Sequence, residues 1–114
     1  MTQKTTMARS VGIALAGTLL MALTVTGPAR PDDKSAALYK QKCVACHGPD
    51  GKAATPAGKA TGARSFADPE VAKLSDDDLA AIIEKGKAKM PAYGKSMKPD
   101  EIKDMVAYIR TLAK

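Results

Sequence analysis

CVACHGPDG, residues Cys43 to Gly51, holds both cysteines and the single histidine of a 114-residue chain. Packing every thiol and the one imidazole into five consecutive positions leaves three chemistries to weigh. A redox-active thiol pair of thioredoxin type belongs on a fold in which strands alternate with helices, and no stretch here reads as a strand. Structural zinc takes four ligands, whereas Cys43, Cys46 and His47 supply three. Covalent attachment of haem at C-x-x-C-H needs what is present and nothing more. Residues three apart on a helix share a face, with Cβ atoms about 5–6 Å apart. Cys43 and Cys46 can therefore bond two vinyl groups along one porphyrin edge while His47 turns under the ring to ligate iron.

Composition agrees with a cofactor-filled interior. The chain has no Trp, one Phe and three Tyr, and a small domain with so few large side chains needs a staple of some kind. Lys4 and Arg9 precede an apolar run from Val11 to Val25, broken at Gly12, Gly17, Thr18 and Thr24 and followed by Gly27 and Ala29. This pattern reads as a secretory signal over residues 1–29, cleaved after Ala29. The run is shorter than the ~20 apolar residues of a spanning helix, and no cysteine near the cut offers a lipid anchor. The expectation is an exported, periplasmic domain, residues 30–114, with no stable membrane association after cleavage. Of 18 basic residues, Lys4 and Arg9 leave with the signal, so 16 remain against 12 acidic ones, a net charge of +4.

The remaining chain reads as helices. From Asp33, Leu38, Tyr39, Lys42 and Cys46 fall at helical spacings behind an acidic cap. Pro49-Asp50-Gly51 signals a turn, and the stretch to Ala67 lacks periodicity and reads as an ordered loop over one haem face. Asp68 and Pro69 open one or two helical turns through Lys73. Ser75 caps a helix with Asp78 at its third position, Leu74 and Leu79 as a staple, and Gly86 as its stop after Lys85. The last helix starts at Pro99 and presents Ile102, Met105, Val106, Ile109 and Leu112 as an apolar stripe. The fold class expected is all-α, three main helices plus a short one wrapped around one haem.

An iron held by one histidine has a further axial position, and Met90, Met97 and Met105 are the available sulfurs. Met105 belongs to the apolar stripe. Met97 precedes the cap at Lys98 and pairs with Ile102 as a staple. Met90 has no such task and lies in an irregular segment before Pro91, whose fixed φ stiffens the loop that presents it. Met90 is therefore the expected distal ligand, giving the His/Met pairing of soluble cytochromes.

Leu38-Tyr39, Cys43, Cys46, His47 and Gly48, then Gly86 and Met90-Pro91-Ala92-Tyr93, then Val106-Ala107-Tyr108-Ile109 together resemble the class I c-type cytochromes, small soluble bacterial monohaem proteins. The resemblance spans roughly residues 34–114. It implies the cytochrome c fold around one covalent haem c, His47 proximal, Met90 distal, and work as a one-electron shuttle. It further implies a proline carbonyl that accepts a hydrogen bond from the proximal histidine, for which Pro56 is the better match and Pro49 the poorer. Two positions depart from the family: Ala36 stands where many members have Gly, and Lys98 replaces a Ser or Thr cap. Tyr93 and Tyr108 read as packing residues with polar tips.

A closed His/Met sphere leaves no place for substrate, so the chain reads as a carrier and not an enzyme. Lys85, Lys87, Lys89, Lys95 and Lys98 crowd the Met90 segment, with Lys40, Lys42 and Lys52 near the attachment motif. They would steer the acidic surface of a redox partner protein toward the haem edge. The protein is expected to be a monomer. Nucleic acid is a poor partner, because no helix carries a basic stripe with aromatic platforms. The competing readings are a haem c protein with an open sixth site, acting as gas sensor or peroxidase-like enzyme, and a disulfide oxidoreductase using Cys43 and Cys46.

Overall fold

A computed structural model describes residues 31–114 together with Gly12 and Gly27. Apart from those two glycines, the expected signal segment and its cleavage point lie outside the described residues. The elements are α1 (Pro31–Lys42), α2 (Val44–His47), α3 (Pro56–Thr61), α4 (Pro69–Ala72), α5 (Asp76–Lys85) and α6 (Pro99–Leu112). Among the described residues there is no strand, only an isolated bridge between Lys87 and Met90. None of the described helices is long and apolar enough to cross a membrane.

Three long helices, α1, α5 and α6, carry the fold, and α6 packs on both of the others. Its stripe is buried as the spacing predicts: Ile102, Met105, Val106 and Ile109 face the core, with Leu112 half-buried at the end. They meet Leu79 and Ile83 of α5, Tyr39 of α1, and Met97 and Phe66 from the connecting segments. Met97 and Ile102 are both buried in this core, as a staple requires. Lys98 makes no side-chain cap, but Glu101 compensates by accepting from the Lys98 N–H at 2.9 Å. Its other oxygen pairs with Lys34 at 2.9 Å and ties α1 to α6.

The capping signals of α4 and α5 are realised. Asp68 accepts from the Glu70 N–H at 2.9 Å, and Ser75 and Asp78 cap reciprocally at 3.1 and 3.3 Å. Gly86 ends α5 with φ 77° and ψ 168°, a positive φ outside the left-handed helical well. A side chain there would meet the Met90 carbonyl at 2.7 Å, so the position requires glycine on steric grounds as well.

The segment after the motif differs from expectation. It contains α3, capped by Thr55, whose hydroxyl accepts from Gly58 N at 2.9 Å, and stopped by Gly62 at φ 69°. Only Gly58 of its six residues is buried, so no apolar period marks the helix. α1 also begins two residues before Asp33, at Pro31.

Candidate haem site

The helical run of α1 breaks at Cys43 (φ −117°, ψ −34°) and restarts as the single turn of α2. His47 N–H closes that turn onto the Cys43 carbonyl at 2.9 Å, and Gly48, at φ 75°, takes the chain out of it. Three tethers hold the turn in place. The buried Tyr39 hydroxyl donates to the Gly48 carbonyl at 2.6 Å. The Thr55 hydroxyl donates to the carbonyls of Ala45 and Cys46 at 2.8 and 3.0 Å. Gly58 nests against the Cys46 carbonyl where any side chain would collide.

Cys43, Cys46 and His47 border a cavity of about 460 Å³, within the range of cofactor sites. Its walls are predominantly apolar, with Phe66, Val71 and Leu74 from the α3–α5 segment, Leu79 and Ile83 from α5, and Met105 and Ile109 from α6. The remaining side is the segment after α5, with Met90, Pro91 and Tyr93. Met90 is presented by a tight reversal in which Lys87 N–H donates to the Met90 carbonyl at 3.1 Å and Met90 N–H to the Lys87 carbonyl at 2.9 Å. Ala88 takes a positive φ of 52° to close it.

Of the three candidate sulfurs, Met90 and Met105 border the cavity, Met105 from the packed face of α6. Met97 does not; it faces a separate smaller hollow beside Ala80, Glu84 and Gly94. Pro56 is likewise absent from the cavity wall, and the bond expected from His47 to its carbonyl is not made. His47 Nδ1 is buried without a hydrogen-bond partner. The reason is local: Pro56 is the first residue of α3, where carbonyls point along the axis into the helix's own ladder. The backbone of Arg64 is the polar group that favours the protonated ring, although it falls short of a completed hydrogen bond to Nδ1.

Burial dominates the electrostatics. It pushes the Cys43 thiol up to about 11, the opposite of the low value that a thiolate redox centre needs. Burial also lowers the His47 imidazole, against the weaker pull of Arg64. The ring is therefore neutral at neutral pH, the form in which imidazole binds a metal. Phe66 escaped the sequence reading. Its ring stacks on His47 with centroids 4.7 Å apart, and its being the only Phe of an aromatic-poor chain was the available signal.

Residues 30–109 match the family described as cytochrome C oxidase, cbb3-type, subunit III. The chain belongs to this c-type cytochrome family. Similar solved structures include the KustC0563 c-type cytochrome, 38% identical, covering 70% of this chain and 98% of that one with a TM-score of 0.65. A tyrosine-to-phenylalanine mutant of Kustc0563 is 36% identical over 68% of this chain and 96% of its own, with a TM-score of 0.62. No curated protein matches the chain. The cytochrome thus has the all-α cytochrome c fold, covalently bound haem c, and a role in haem-based electron transfer. Its own residues fit that group: two thiols, an imidazole and a methionine border one predominantly apolar cavity.

Proposed function

We propose that this cytochrome is an exported, periplasmic one-electron carrier whose haem is held by thioethers at Cys43 and Cys46, with His47 as proximal and Met90 as distal ligand. The observation that carries the reading is that one cavity is bordered by all four of these residues. Bound haem supplies a one-electron iron couple. The protein's part is to hold it still and dry. His47 stays neutral and clamped against Phe66. A Met90 sulfur holding the iron would favour the ferrous state and raise the potential, and the apolar walls would limit the entry of water. With His47 and Met90 both committed to holding the group, no position would remain for a substrate, so the role is transfer and not catalysis.

The partner surface follows from charge. Lys85, Lys87, Lys89, Lys95 and Lys98 are all exposed, and Lys87, Lys89 and Lys42 border the cavity. A positive rim there supports docking of an acidic redox protein on a monomeric carrier.

Absorption spectra of the purified oxidised protein test the ligand set. Met90→Ala loses the weak far-red sulfur-to-iron band, and Met97→Ala keeps it. Loss in Met97→Ala alone would overturn the assignment of Met90. A wild-type protein without the band that binds carbon monoxide rapidly would support the open-site reading instead.

A further inference from the structure

The break at Cys43 has a cost in hydrogen bonds. In a continuous helix the Cys46 N–H would reach back four residues to the Lys42 carbonyl, but it turns to Cys43 at 3.2 Å instead. The Lys42 carbonyl lies at the end of α1, where helix carbonyls run short of backbone partners, and among the described residues no backbone N–H outside a helix takes it. A side-chain donor comes from 51 residues further on: the Tyr93 hydroxyl donates to this carbonyl at 3.0 Å. The Lys42 ammonium lies 5.9 Å from the centroid of the same ring.

Tyr93 is anchored on its other side as well. Its N–H donates to the Ile83 carbonyl in the last turn of α5, and its carbonyl accepts from the N–H groups of Ser96 and Met97, each at 2.9 Å. By contrast, Met90, three residues earlier, has only the local pair of bonds to Lys87. The segment carrying Met90 thus leaves α5 at Gly86 and regains a fixed point at Tyr93. That point is tied by one hydroxyl to the residue immediately before Cys43. Cys43, Met90 and Tyr93 border the same cavity.

We propose that Tyr93 is a positioning residue that sets the Met90 segment against the cysteine-bearing turn and so determines how firmly the Met90 sulfur is held in place. The inference rests on the His47/Met90 ligand set proposed above. Burial holds the Tyr93 phenol above its ordinary value, so the hydroxyl remains a donor throughout the neutral range.

The test uses the purified, haem-loaded protein as wild type, Tyr93→Phe and Tyr108→Phe, with imidazole titrated into the oxidised form. Tyr108 packs on Tyr39 and does not border the cavity, so its variant controls for loss of a phenol. Losing one hydrogen bond of ordinary strength should tighten imidazole binding about five- to tenfold in Tyr93→Phe, with a weakened far-red band, and leave Tyr108→Phe like wild type. Tyr93→Phe binding imidazole within twofold of wild type overturns the inference, whatever its unfolding temperature, because a merely structural cap lowers only the latter. Equal tightening in both variants overturns it too. If the wild type itself lacks the far-red band, the Met90 assignment falls and this inference falls with it. A wild type with the band beside an unresponsive Tyr93→Phe removes this inference alone.

Discussion

The rings of His47 and Phe66 lie 24° from parallel with their centroids 4.7 Å apart. Phe66 also meets Tyr39 edge-on, centroids 6.2 Å apart, and occupies space that only a glycine at position 51 leaves open. One side chain thus links the His47 imidazole to the helical core. Phe66→Ala should destabilise the protein by roughly 3–5 kcal/mol, the usual cost of removing a buried aromatic ring, and Phe66→Leu by clearly less. Denaturant unfolding of the loaded protein measures both; equal stabilities would show that the stack contributes nothing.

Gly58 makes a second prediction. A Cβ there would clash with the Cys46 carbonyl and come within 2.7 Å of the Ala53 carbonyl, and backbone on both sides leaves little room to yield. Gly58→Ala, although a favourable change for a solvent-facing helix, should therefore cost about 1–3 kcal/mol as an overpacked site. Gly62→Ala is the comparison: nothing crowds it, and its cost comes only from φ 69°. A Gly58→Ala protein as stable as wild type would mean that α2 and α3 separate freely.

The helix starts set the acid limit. Hydrogen bonds from the Glu70 N–H, Ser75 and Lys34, respectively the largest causes, hold Asp68, Asp78 and Glu101 below their ordinary carboxylate values. A carboxyl with a lowered folded value contributes stability above its unfolded value, about pH 4, and loses it as pH falls through the folded one. Unfolding temperature should therefore drop on going from about pH 5 to pH 3, and drop less in Asp78→Asn and Glu101→Gln. Parallel curves for wild type and variants would exclude these caps as the cause.

Much of this was readable in the residues because its physics is local. Cys43, Cys46 and His47 specify their chemistry by spacing. Ser75 with Asp78, and Pro99, announce helix starts, and the α6 stripe announces its buried face. Part of what escaped consists of partners that are backbone carbonyls. Every residue has one, so nothing in the sequence distinguished Arg64 from Pro56 beside the imidazole, or marked Lys42 as the acceptor for Tyr93. α3 escaped for another reason, since a six-residue helix with one buried glycine has no pattern to read.

The lysine rim should be visible with a small redox reagent. Oxidation of the reduced cytochrome by anionic ferricyanide should slow as salt rises. Reversing Lys87 and Lys89 together to Glu should lower the low-salt rate by about tenfold, a gap that closes at high salt. Lys103→Glu, on α6 and away from the cavity wall, is the control. An equal effect from Lys103→Glu would reduce the rim to overall charge.

The cavity has a consequence for how the molecule comes into being. At roughly 24 cal/mol per Å³, an unfilled interior space of 460 Å³ would cost on the order of 10 kcal/mol, an upper bound for a cleft open to water on one side. That is comparable with the entire net stability of a small domain. The helices form a shell around a guest instead of a self-sufficient solid, so acquiring colour should add a large share of the stability of the finished shape. Chain that has not been loaded should therefore be the more readily cut by proteases, and limited proteolysis of loaded and unloaded protein reads the difference.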